Sequence, residues 1–169
     1  MKRLWLLGLL FLPLMVSAQK IKSGDLKFLK NETMLSTKID FSKAQLNGNT
    51  ENGRTRLEAF LALDSAYIIQ RFYDGVADEL EDYYFLVGNQ PEARYEAVIQ
   101  VQLVAENGST WSMVEFSDRE TKEVLCTVQL MGNGGRFGTF LNLWGDGMRD
   151  SGENFGEFLR KNQSKKSKK

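Results

Sequence analysis

The chain has no histidine and a single cysteine among its 169 residues. Lack of histidine removes the commonest general base and the commonest metal ligand at neutral pH. It also leaves a serine or cysteine nucleophile without its usual partner. The lone Cys126 can close no internal disulfide, so stability must come from a packed core. Its place in the alternating row Val124, Cys126, Val128, Leu130 makes it a small core hydrophobe. Carboxylates offer little more. The densest group, Asp74, Asp78, Glu81 and Asp82, recurs at helical steps and reads as a solvated helix face. No pair is set to face another across a cleft, as a glycosidase requires. The chain is read as non-enzymatic, with no cofactor and no metal.

The first residues set the compartment. Lys2 and Arg3 precede an apolar run from Leu4 to Val16, and Val16-Ser17-Ala18 places small residues where a signal peptidase inspects them. This pattern is a secretory signal peptide over residues 1–18, cut between Ala18 and Gln19. The run falls short of the roughly 20 apolar residues of a membrane span. No cysteine follows the cut, which excludes a lipid anchor there. The expectation is an exported protein, periplasmic or at the outer surface, with no transmembrane segment after removal of the signal.

Net charge is zero, but it is unevenly spread. Of the 22 basic residues, two lie in the signal segment and six in the last ten positions, while all 22 acidic residues lie between. Residues 19–159 therefore carry 14 basic and 22 acidic side chains, a net of −8. An acidic body argues against a nucleic-acid surface. The tail, residues 160–169, is polar, basic and of low complexity, and is expected to be disordered. Solubility is one role for it. Attraction to anionic lipid phosphates, at about 1 kcal/mol per lysine near such a surface, is the other.

Apolar spacing orders the body. Leu35, Thr37, Ile39 and Phe41 alternate as a strand does, and a polar stretch rich in glycine and asparagine follows at 45–53. Leu57, Phe60, Leu61, Ile68, Phe72, Val76, Leu80 and Tyr83 then recur at steps of three and four, predicting a long helix. Three strands come next: Tyr95 to Leu103, Trp111 to Phe116 after an Asn-Gly-Ser hairpin signal, and Val124 to Leu130. Their alternate residues are mostly polar, so helices cover one face only. The prediction is one α+β domain over residues 19–159, a two-layer sandwich of order β-α-β-β-β-α with a mainly antiparallel sheet.

Two stretches imitate known sites. In GDGMRDSGENFGE, residues 145–157, Asp146, Asp150, Asn154 and Glu157 suggest a calcium loop. Counted from Asp146, however, the third position is Met148 and the turn position is Ser151, and a thioether cannot serve a hard cation. Phe137, Phe140, Leu141, Trp144, Met148, Phe155, Phe158 and Leu159 instead mark a helix, with Gly145, Gly152 and Gly156 expected where it approaches the sheet. In GNGGRFG, residues 132–138, Phe137 stands where a dinucleotide fingerprint needs glycine. The amides of Gly134 and Gly135, helped by Arg136, are a candidate anion cradle at the helix start.

Aromatic residues are the stronger hint. Tyr83, Tyr84, Phe85, Tyr95 and Trp111 lie near element ends, where an exposed ring can stack on a partner, and Trp111 beside the hairpin tip is the best anchor. IKSGDLKFLKNETMLSTKIDFSKAQL after SAQ, with the closing GRFG and RDSGENFGEFLRK, resembles a group of small exported proteins of Gram-negative gut anaerobes. The resemblance implies an exported α+β protein and carries over no activity. Asp64-Ser65-Ala66 is similar to the O-glycan acceptor motif of such bacteria, with Ser65 as the acceptor. Two functions stay open. One is binding of an envelope protein or glycan through the uncovered sheet face or an aromatic edge. The other is carriage of a small apolar or anionic ligand between helices and sheet near Arg136.

Overall fold

The computed structural model describes residues 19–46 and 53–163. The expected signal segment, with Ala18, and residues 164–169 of the expected tail lie outside the described residues. Gln19 opens strand β1 (Gln19–Gly24), which is followed by a short 3-10 turn (Lys27–Leu29), β2 (Met34–Asp40), β3 (Gln45–Leu46) and helix α1 (Gly53–Leu80). The rest is β4 (Leu86–Gly88), β5 (Tyr95–Val104), β6 (Thr110–Asp118), β7 (Val124–Gly132) and α2 (Phe140–Arg160).

The strands form one seven-stranded sheet in the order β1-β7-β6-β5-β2-β4, with β3 beside β5 beyond the end of β2. In the run β1, β7, β6, β5 each strand is antiparallel to its neighbour, whereas β2 runs parallel to both β5 and β4. Register explains why one face is covered. Ala97, Phe116 and Cys126 lie side by side across three strands, as do Ile99, Val114 and Val128, and all six are buried. The residues between them, such as Val98, Glu115 and Thr127, share the other face, which carries no helix. The mixed, mainly antiparallel α+β sandwich is the architecture read from the sequence. That reading missed β1, β3 and β4, of which β3 and β4 have two and three residues and β1 a single large apolar residue, Ile21. Such segments offer no period to detect.

Helix α2 is continuous through residues 140–160, so the apparent calcium loop is helical, but Thr139 caps its start and leaves Phe137 outside it and exposed. Asp146 pairs with Arg71 at 3.0 Å, Asp150 accepts the Asn133 amide at 2.7 Å, and Asn154 donates to the Met131 carbonyl at 3.1 Å. The glycines of α2 differ from expectation. Gly145, Gly152 and Gly156 face α1, not the sheet: a Cβ on Gly152 would lie 2.0 Å from the Phe72 carbonyl oxygen. The bulky residues of α2 take the sheet side, with Phe155 stacked on Phe116 of β6 at 6.0 Å, which leaves the small residues for the helix contact. Gly75 of α1 answers them, its own Cβ position 2.1 Å from the Arg149 carbonyl oxygen.

The structure recasts the acidic group: α1 ends at Leu80, so Glu81 and Asp82, like Tyr83, lie past it and share no helix face with Asp74 and Asp78. Asp78 pairs with Arg149 and Glu79 with Arg160, so these two residues bind α2 and are not merely solvated. Cys126 is buried under the helices, and burial, with a smaller push from the Asp25 charge, raises its thiol to about 11. In the β6–β7 turn, Asp118 accepts the amides of Thr121 and Glu120 at 3.1 and 2.8 Å. These bonds, with the Arg94 guanidinium at 2.9 Å, hold its carboxyl below the usual range.

Candidate functional site

Helix α1 spans 28 residues, a length of about 42 Å at ~1.5 Å per residue. The edge strand it overhangs, β4, has three residues. Gly88, at φ +138°, takes a backbone conformation that other residues rarely adopt, and the chain leaves the sheet there. The sheet is therefore one strand short of underlying the second half of α1. A groove of about 530 Å³ fills the difference, between Gln70–Leu80 of α1 and Phe85–Asn89 around β4.

The groove is mainly apolar. Val76, Ala77 and Leu80 form its helix wall, Phe85, Leu86 and Val87 its strand wall, and Tyr73 and Tyr83 stand at its sides. Asp74 is the one charged residue in the lining, and its carboxylate accepts from the Gln70 amide at 2.8 Å. A second hollow of about 450 Å³ shares Tyr83, Phe85 and Leu86 and adds Tyr84 and Thr33. The exposed side chains of Tyr84 (66 %) and Leu86 (57 %) line this second hollow, and Leu86 is the apolar rim it shares with the groove.

Backbone polarity adds to this. The Leu86 N–H donates to the Thr33 carbonyl at 2.8 Å, and Leu35 sits opposite Val87. Alternate residues of a parallel ladder turn their polar groups to the same neighbour, so the N–H and C=O of Val87 face away from β2. Among the described residues no strand pairs with β4 on that side. Beyond β4 the edge passes to β2, where the Tyr73 hydroxyl donates to the Thr37 carbonyl at 3.3 Å and lies 2.9 Å from Thr37 Oγ1. Tyr73 thus closes one end of the edge and ties α1 to it.

The residues singled out in the sequence lie elsewhere. Trp111 projects from the helix-free face of β6, 40 % exposed, between Leu103 of β5 and Met131 of β7. Gly134, Gly135 and Arg136 form the connection from β7 to α2. The Gly134 amide donates to Ser109 Oγ at 3.0 Å and the Gly135 amide to the Leu143 carbonyl at 3.3 Å. Both amides are engaged within the fold. Arg136 is exposed, Ser65 is half-buried midway along α1, and Gln19 begins β1. None of these lines the groove. What the sequence did signal was the cluster Tyr83-Tyr84-Phe85, although Phe85, like Tyr95, is buried and offers no exposed ring; Asp74 stood in the acidic group, and Tyr73, Ala77 and Leu86 carried no pattern of their own.

Among the described residues there is no cluster of three or more acidic, cysteine or histidine side chains placed to hold a metal, and no helix long and apolar enough to cross a membrane. No protein-family model and no curated protein matches the chain. Among solved structures it is similar to the PelC dodecamer from Paraburkholderia phytofirmans, 8 % identical over 80 % of this chain and 96 % of that one, with a TM-score of 0.44. A variant of that dodecamer is 9 % identical over 83 % and 94 % of the two chains, at a TM-score of 0.41. The crystal structure of an uncharacterized protein is 8 % identical over 73 % and 89 %, at 0.43. Likeness at this level carries no function to the present chain.

Proposed function

We propose that the protein is a non-enzymatic binding module of the cell envelope, and that the groove between α1 and β4 receives its protein or glycan partner. The observation that carries this reading is the concave, tyrosine-flanked apolar groove of about 530 Å³ at an uncompleted sheet edge. Binding sites combine an apolar lining with a few polar groups that set orientation, here Asp74 and Asn89. The helix-free face is the weaker candidate, because Gln100, Glu115 and Gln129 interrupt its apolar residues.

Co-purification of the tagged protein from its own cell envelope tests the proposal. Leu86→Lys puts a charge on the exposed rim without disturbing the core, whereas Trp111→Ala alters the open face. A partner retained by the wild type and by Trp111→Ala but lost with Leu86→Lys is the expected result. Loss with Trp111→Ala alone would transfer the site to the open sheet face.

Carriage of a small apolar ligand is the second reading, and one observation favours it: the groove exceeds the ~300 Å³ at which ligand pockets begin. Solvent extraction of the purified protein, followed by mass spectrometry, would reveal such a cargo directly.

A further inference from the structure

We propose that β4 is an acceptor edge, to which the partner adds as one extended peptide strand running beneath α1. This rests on the groove being the binding site and specifies what fills it. Three observations converge. The outward N–H and C=O of Val87 have no strand beside them among the described residues, and an edge of this kind is a template for another strand. The groove lies where the side chains of an added strand would fall, because neighbouring strands run ~4.8 Å apart and turn alternate residues to the helix side. Its walls are apolar there, with Ala77 the small residue that leaves the space open.

Strand addition divides recognition between main chain and side chains. Hydrogen bonds along the edge give affinity, and hollows for alternate side chains give specificity. The partner strand accordingly has apolar residues at alternate positions. Asp74 is the groove's one charged residue, so the strand has a lysine or arginine at the end that meets it. A lone strand fits beneath the overhanging helix. A second copy of this chain, joined edge to edge in a continuous antiparallel sheet, would bring its own α1 into that space, so the occupant is a peptide segment of another protein.

The test selects short random peptides displayed on phage against the chain from Gln19 to Lys169, then measures synthetic versions of the enriched peptides by fluorescence polarisation. Enriched sequences should alternate apolar and polar residues and carry a basic residue near one end. Val87→Pro removes the outward N–H, and proline is accepted at an edge position whose N–H faces away from the ladder. It should weaken binding about ten-fold, the loss expected for one edge hydrogen bond and the carbonyl left unpaired on the peptide. Val87→Ala trims the groove wall but keeps the backbone donor and acceptor, so it should weaken binding less than Val87→Pro does. In the wild type, hydrogen exchange of the Val87 amide should slow on binding, a readout that stands even if Val87→Pro fails to fold.

No enrichment, enriched peptides without alternation, or an unprotected Val87 amide would each overturn strand addition. Binding unaffected by Val87→Pro but abolished by Leu86→Lys would leave the groove as the site and remove only the strand. Binding unaffected by either would remove both.

Discussion

Gly152→Leu should lower the melting temperature of the protein by about 10 °C, the shift expected when a domain of this size loses roughly 3 kcal/mol. The groups a side chain would meet at Gly152 are all main chain: the Phe72 carbonyl oxygen at 2.0 Å, its carbon at 2.9 Å and the Val76 nitrogen at 3.1 Å from the Cβ position. A flexible side chain could swing away, but a helix backbone cannot. α1 and α2 would have to separate. Separation would loosen the Phe72–Phe155 ring contact at 5.7 Å and the ion pairs Arg71–Asp146, Arg149–Asp78 and Arg160–Glu79. The rings matter most, because half-exposed ion pairs contribute at most about 1 kcal/mol each. Ala62→Leu, on the exposed face of α1, is the control and should melt near the wild type. Thermal unfolding followed by circular dichroism reads both, and a wild-type melt for Gly152→Leu would mean the helices do not approach as described.

The second large effect runs the other way, on binding without stability. Ala77→Trp should abolish partner capture, by about 100-fold or more in affinity, while leaving the melting temperature unchanged or slightly raised. Ala77 is an exposed groove residue, so an indole there occupies the hollow and meets no buried backbone. Filling a pocket that receives a central anchor of the partner costs more than trimming its rim, because anchors in such pockets carry most of the binding energy. Isothermal titration with the captured partner measures the loss. Retained affinity in a folded Ala77→Trp protein would mean that the partner never enters the groove.

Much of the frame is legible in the residues themselves. Tyr95, Ala97, Ile99 and Val101 alternate with Glu96, Gln100 and Gln102, and both the strand and its one-sided burial follow from that. Met148 at a ligand position and Ser151 at the turn position, with apolar residues at helical steps, favour helix over calcium loop for residues 145–157. Gly145, Gly152 and Gly156 even announce a stripe of small residues at helical steps. Which neighbour that stripe would meet was not legible, since it depends on how Trp144, Met148 and Phe155 turn α2 toward the sheet.

The groove was less legible still, for a physical reason. It belongs to no segment but arises because α1 runs on where β4 has stopped, and a three-residue strand leaves no period to read. Local aromatic density at Tyr83-Tyr84-Phe85 was the one trace of it. Trp111, the most conspicuous ring beside a turn, lies on the open face at a distance set by strand order, which alternation alone does not reveal.

Photocrosslinking in the cells that make the protein tests the central claim most directly. A photoreactive amino acid is placed at position 77, inside the groove, and in a second strain at position 115, on the helix-free face. A discrete covalent adduct is expected from position 77 and none from position 115. An adduct from position 115 with none from position 77 would contradict that claim and move the binding site to the open sheet.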